Sequence, residues 1–269
     1  MRLLIVISFI FFGADISHAQ SDASFNLSKT IEGDIVDFTV DNTGNIYLLN
    51  HNNQLKKLTA NGDSVGVYNA VNTYGDIYFI DVSNSLKVLV YYKDFSTIVE
   101  VDRFLNIINT IDLRKLNIFQ VKAVGLAYDN NIWIYDELDA KLKRIGDDGS
   151  LIDQSSDFRQ LFDSAPDPDR IIDQGEFVYL YDITKGVYVF DHYGSLKSKV
   201  SLLGWQDFNV IEKSMIGRKE NFFYKYLLGK LDIQQEPLKP EYLNAVKTKI
   251  TTNAVYILKK NMLQVYSHH

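Results

Sequence analysis

One unit recurs along this chain at intervals of about 44 residues, and no other feature restricts its possible folds so severely. An apolar strand rich in aromatic and β-branched residues leads into a polar hairpin, then a second apolar strand, a glycine-centred turn and another strand. One copy runs Asn45-Ile46-Tyr47-Leu48-Leu49, Leu55-Lys56-Lys57-Leu58, Asn61-Gly62-Asp63. Another runs Asn131-Ile132-Trp133-Ile134-Tyr135, Leu142-Lys143-Arg144-Ile145, Asp148-Gly149-Ser150. Runs of Val, Ile, Tyr, Phe and Thr bounded by Gly, Asn and Asp read as strands, and helical spacing of apolar residues is not sustained. A short helical turn is expected only around Phe158-Arg159-Gln160-Leu161-Phe162.

A strand-only repeat of this length is a β-propeller blade. Aligning the second strand of each copy on Ile46, Val88, Ile132, Val178, Phe222 and Val255 gives spacings of 42, 44, 46, 44 and 33 residues, so the fifth blade reads as cut short. The C-terminal copy stops after Met262-Leu263-Gln264-Val265-Tyr266 with no fourth strand, whereas residues 24–31 form a strand with no blade of their own. Pairing the two closes the ring and leaves no open edge between first and last blades. The expectation is an all-β, six-bladed propeller with blades over 33–70, 75–113, 121–155, 170–203, 209–240 and 247–266, and 24–31 as closing strand.

The turn before the fourth strand repeats as Asn61-Gly62, Asp148-Gly149 and Tyr193-Gly194, with Leu105 in the glycine position of the second copy. Glycine suits a hairpin position that needs positive φ. The stretch Phe190-Asp191-His192-Tyr193-Gly194-Ser195 resembles the strand ends of NHL-type propeller repeats. The resemblance, which extends to TolB-like propellers, is one of architecture and brings no functional residue with it.

Residues 1–19 carry Arg2, an apolar run from Leu3 to Phe12 and Ser17-His18-Ala19, which reads as a secretory signal cleaved before Gln20. The run is shorter than the roughly 20 residues that span a bilayer, and no later segment approaches that length. The chain has no cysteine, which removes disulfides, thiolate metal sites and thiolate catalysis. With 28 Lys plus Arg against 34 Asp plus Glu, the net charge of −6 is a poor match for nucleic acid or anionic lipid. No Gly-rich phosphate loop, no Gly-x-Ser-x-Gly elbow and no glycosidase-like carboxylate pair occurs.

Blade order places His51 and His192 in turns on opposite faces, so they share neither a metal nor a proton, and each reads as a solvated turn residue. Asp34 and Asp76 each follow a glycine at the start of an innermost strand, where converging oxygens, with Gln120 and Asn209 near equivalent places, are candidate ligands for Ca²⁺. In lactonase-like six-bladed propellers, oxygens in that region hold the catalytic metal. The bland alternative is that these aspartates cap backbone N–H groups. Residues 163–169, with three acids and two prolines, read as a stiff acidic loop, with Asp167 a candidate partner contact.

Tyr47, Tyr78, Trp133, Tyr179 and Phe223 are expected to pack between blades. Trp205 with Phe208, and Tyr91-Tyr92 with Phe95, are candidate anchors for a protein partner. The leading expectation is a non-catalytic exported propeller without cofactor, a scaffold or accessory subunit in a periplasmic or outer-membrane-associated complex of secretion or outer-membrane assembly. Its partner would be a cell-envelope protein, with an extracellular location the alternative. Competing expectations are a metal-dependent lactonase-like hydrolase or lyase built on Asp34 and Asp76, and a carbohydrate- or peptide-binding propeller using Trp205.

Overall fold

Alternation of side chains along each strand presents two faces, and in this fold both are covered, because every sheet is packed between two others. That is why Lys87–Tyr92 is buried at all six positions and Ile132–Asp136 at all five. The structure is a computed structural model that describes residues 25–69 and 73–267, so the leader read over 1–19 and the first residue of the expected closing strand lie outside the described residues.

Among the described residues there are six four-stranded antiparallel sheets arranged as blades. A lone strand β1 (Asn26–Glu32) precedes them. Blade one is β2 (Asp37–Val40), β3 (Ile46–Leu49), β4 (Gln54–Leu58) and β5 (Ser64–Asn69). Blade two is β6 (Phe79–Asn84), β7 (Lys87–Tyr92), β8 (Thr97–Asp102) and β9 (Ile107–Asp112), and blade three is β10 (Val121–Leu126), β11 (Ile132–Asp136), β12 (Lys141–Ile145) and β13 (Leu151–Gln154). Blade four is β14 (Arg170–Gln174), β15 (Phe177–Asp182), β16 (Gly186–Phe190) and β17 (Leu196–Val200). Blade five is β18 (Gln206–Ile211), β19 (Ser214–Lys219), β20 (Phe222–Leu227) and β21 (Ile233–Pro237). Blade six is β22 (Lys247–Ile250), β23 (Ala254–Lys259) and β24 (Met262–Ser267), completed by β1. The expected short helical turn is α1 (Phe158–Leu161), capped by the Asp157 carboxylate accepting from Arg159 N.

Closure follows the expectation. β1 runs antiparallel to β24, from Asn26 opposite Ser267 to Glu32 opposite Met262. Ser28 Oγ donates to Val265 O at 3.0 Å, and Lys29 Nζ donates to Ala60 O of blade one at 2.7 Å. The hydrophobic core is accordingly a ring of six clusters, one at each blade junction.

The turns before the fourth strands share one backbone form. Gly62, Leu105, Gly149 and Gly194 have φ of 96°, 69°, 81° and 78°, and each N–H donates to the carbonyl three residues earlier, at Thr59, Asp102, Gly146 and Asp191. Leu105 meets the same geometric demand as the glycines, and burial of its side chain in the junction of blades one and two offsets the steric cost of the left-handed conformation.

Blade five departs from the sequence alignment. Phe222 opens the third strand, and the second strand is Ser214–Lys219, so the blade is complete. Its Ser-Met-Ile-Gly-Arg-Lys sequence lacks the aromatic run of its counterparts because the indole of Trp205 covers it. Trp205 and Phe208 are buried core residues, with Trp205 stacked on Tyr224 at 5.5 Å and Phe208 on Tyr181 at 4.1 Å. Tyr91 and Tyr92 are also fully buried, one on each face of β7: Tyr91 Oη donates to Val121 O at 2.9 Å and Tyr92 Oη to Tyr68 Oη at 2.9 Å. These four are therefore not surface anchors. Conversely Tyr78, expected between blades, is 49% exposed, because it precedes β6 and lies outside the sheet sandwich.

Candidate functional site: the crossing face and the central channel

Antiparallel blades sort the loops between two faces. The crossing face carries the connections from one blade to the next and the turns between second and third strands. The opposite, hairpin face carries the turns between first and second and between third and fourth strands.

Of the six side chains proposed from sequence to meet a partner, Phe95 and Asp167 are exposed, and both are on the crossing face. Phe95 is 46% exposed in the second-to-third-strand turn of blade two. On loops of blades two and three on the same face are Tyr78, Phe119 and Leu138, each about half exposed. Sequence reasoning missed both Phe119, which follows Ile118 without an aromatic neighbour to flag it, and Leu138, a lone apolar residue among acids.

The loops that carry these side chains are fastened down. Arg114 donates to Phe95 O through Nε at 3.1 Å and Nη2 at 2.5 Å, and its guanidinium lies 5.6 Å from the Phe95 ring centroid. Ser96 Oγ donates to Phe119 O at 3.3 Å, Glu137 N donates to Gln120 O at 2.9 Å, and Arg159 Nη1 donates to Leu138 O at 3.2 Å. Lys93 Nζ sits 4.8 Å above the Tyr78 ring, and Lys122 pairs with Asp167 at 2.7 Å. That ion pair draws the Lys122 ammonium further up in pKa against the opposing effect of burial.

Asp34 and Asp76 are exposed at the starts of their innermost strands. Asp34 is engaged by one residue: its Oδ2 accepts from His51 N at 3.2 Å and its Oδ1 is hydrogen-bonded to His51 Nδ1. The His51 ring bond holds the carboxyl below the ordinary range. Gln120 lies in the crossing into blade three, where its carbonyl accepts from Glu137 N, and Asn209 faces the channel from β18. Among the described residues, no group of three or more His, Asp or Glu side chains is placed to hold a metal ion.

His51 and His192 do lie on opposite faces. His51 is a solvated turn residue, but His192 is not: its ring stacks on Tyr128 at 4.0 Å and its Nε2 is 3.0 Å from Asp173 Oδ1. Asp173 also accepts from Trp133 Nε1 at 2.9 Å and Tyr128 N at 3.1 Å. Burial pushes its carboxyl up in pKa, while the Trp133 and Tyr128 donors and His192 oppose the rise.

Through the ring axis runs a cavity of about 750 Å³ that opens toward the hairpin face. Its walls come from the innermost strands β2, β6, β14, β18 and β22 and the turns that follow them. Apolar positions such as Phe79, Ile172 and Val210 alternate with Asp81, Arg170, Asn209, Lys247 and Lys249. Lys249 lies deep in this channel, surrounded by protein yet reached by solvent. Burial, together with the neighbouring Arg170 and Lys247 cations, lowers its ammonium to about 8, with Asp81 weakly opposing.

No protein-family model matches the chain, and no curated protein matches its sequence. Solved structures match over most of its length. A streptogramin B lyase structure superposes with a TM-score of 0.60 at 15% identity, covering 86% of this chain and 78% of that one. The Neurospora crassa Pan2 WD40 domain gives 0.66 at 8% identity over 91% of this chain and 95% of that one. Virginiamycin B lyase from Staphylococcus aureus gives 0.61 at 11% identity over 91% and 100%. Similarity at these identities concerns the propeller fold and carries no activity with it.

Proposed function

We propose that the chain is a non-catalytic scaffold, an exported propeller that docks a protein of the cell envelope on the crossing face of blades two and three. The observation that carries this reading is the group Tyr78, Phe95, Phe119 and Leu138: four large apolar side chains, about half exposed, on loops of one face, three of them with backbone carbonyls held by arginine or serine side chains. Aromatic and aliphatic anchors at the centre of a polar rim are what protein interfaces use, and loops already fixed lose little further entropy on binding. Lys93, Lys122 and Asp167 supply such a rim. Among the described residues no helix is long and apolar enough to cross a membrane, so association with an envelope complex would run through the partner.

The test is in-cell photo-crosslinking from residue 119, compared with the same probe at Tyr193, which is 76% exposed on the hairpin face. A discrete adduct with an envelope protein from residue 119, abolished by Phe95→Asp at unchanged melting temperature, is expected. Adducts that survive Phe95→Asp, or that form equally from residue 193, would refute the assignment.

A further inference from the structure

Four cationic side chains line the channel: Lys29 of β1 donates to Ala60 O, and of the three on innermost strands only one has an acidic partner. Lys247 Nζ pairs with Asp37 Oδ1 at 2.6 Å. Lys249 Nζ donates to a neutral acceptor, Asn209 Oδ1, at 3.1 Å. Arg170 lies 4.8 Å from the ring centroid of Phe79, across the channel on β6, and its guanidinium makes no hydrogen bond or ion pair among the described residues.

Of the acids that line the same cavity, Glu212 sits in the exposed turn after β18, and the other four are committed elsewhere. Asp41 closes its own turn, accepting from Thr43 N and Asn45 N, both at 2.9 Å. Asp81 accepts from Ser83 N at 2.8 Å and Leu126 N at 2.9 Å. Asp173 is occupied by Trp133, Tyr128 and His192. Asp207 accepts from Arg218 Nε at 3.0 Å and from Thr248 N and Oγ1, both at 2.9 Å. Each carboxylate therefore stitches its blade to a neighbour or closes its own turn. Cations withdrawn from bulk water without counter-charge are costly, and a site that keeps them so is complementary to an anion. Burial and, after it, the neighbouring Arg170 and Lys247 cations weaken proton binding at Lys249, and a ligand of opposite sign would offset the repulsive part.

We propose that the central channel binds a small dianion through carboxylate or phosphate oxygens, with Arg170 and Lys249 as the contacting cations. The guanidinium fork suits two oxygens of one group, and the ammonium suits a point contact with the second charge. A cavity of about 750 Å³ lies in the size range of small-molecule sites, and Phe79, Ile172 and Val210 give it an apolar wall for a short carbon chain.

Isothermal titration of the full chain with succinate and, separately, inorganic phosphate tests this. Binding of at least one is expected at pH 7, with the pair of probes distinguishing a carboxylate ligand from a phosphoryl one. Arg170→Gln and Lys249→Gln should each weaken binding tenfold or more, while Lys260→Gln, in an exposed turn of blade six, should leave it unchanged. Asn209→Asp is the decisive variant. It places a carboxylate beside Lys249 Nζ, so it should fold normally and yet compete the ligand away. Affinity should also fall between pH 7 and pH 9 as Lys249 deprotonates. Arg170, Lys247, Asp37, Asp81 and Asp207 are the other charged groups around it, from β14, β22, β2, β6 and β18, and burial draws the Lys247 ammonium down as well, against its pairing with Asp37. Heat of binding from neither probe, or binding untouched by Lys249→Gln and Asn209→Asp alike, overturns the proposal.

Discussion

The side chain of Trp205 fills the volume that any side chain at residue 217 would need: a Cβ built on Gly217 comes within 2.7 Å of Trp205 Cβ and 2.9 Å of Trp205 Cε3. The backbone of Trp205 is held by Tyr181, whose hydroxyl accepts from Trp205 N and donates to Trp205 O, both at 2.8 Å. Gly217→Ala should therefore cost about 1–3 kcal/mol through overpacking. Trp205→Ala should cost about 3–5 kcal/mol through lost burial. In the double variant the alanine at 217 no longer meets the indole, so the two losses should fall short of additive in urea titrations.

Lys87 and Glu100 form an ion pair at 2.6 Å in which the carboxylate is almost wholly buried, and Lys87 also reaches Asp147 of blade three at 2.6 Å. Lys87→Met leaves Glu100 charged and uncompensated, or forces it to take up a proton, and should destabilise the protein by about 3–5 kcal/mol. Lys87→Met with Glu100→Met should recover most of that loss. A double variant no more stable than the single one would contradict the account.

The Asp182 carboxylate accepts from Asp167 N at 2.7 Å, Thr184 N at 2.8 Å, Thr184 Oγ1 at 2.7 Å and Lys185 N at 3.0 Å. Burial pushes its pKa up, but these donors outweigh burial and the net shift is downward. A folded-state pKa below the unfolded one, about 3.9 for aspartate, means that the contribution to stability is complete above that value. It is lost as pH falls through the folded pKa. Asp182→Asn should lower stability by about 1.5–3 kcal/mol at pH 7 and flatten the decline seen below pH 4, measured by denaturant unfolding at both pH values. An equal decline in variant and wild type would remove Asp182 from the acid response.

Ile31 packs on the junction of blades six and one, and β1 covers the outer edge of β24. Ile31→Asp should lower the melting temperature by several degrees. Deleting residues 26–32 should convert the protein into self-associating species on size-exclusion chromatography, because β24 then presents an unpaired edge. A synthetic peptide of that sequence added in trans should restore the monomer.

The ring, its six blades and its closing strand were legible because each follows from period and from backbone chemistry. Even Leu105, the one non-glycine in its set of turns, adopts the expected left-handed form. Exposure was less legible. Period-2 alternation marks a buried face only when the other face is wet, and in this fold neighbouring blades cover both, so Tyr91 and Tyr92 vanish together. The second strand of blade five was invisible because its packing is supplied by Trp205 from an adjacent connection, which strips β19 of its own aromatic signature. The charge balance of the channel was beyond reach, since Arg170 and Lys249 are distant in sequence and their isolation depends on which acids face away.

Ser28 and Val265 are 237 residues apart along the chain and meet in one sheet. The first of the described strands thus pairs with the last, and the final inter-strand ladder cannot assemble until both are present. Closing this ring therefore carries the slow loop closure that such sequence-distant pairing demands. In the interval the early segment must be kept from other exposed strands.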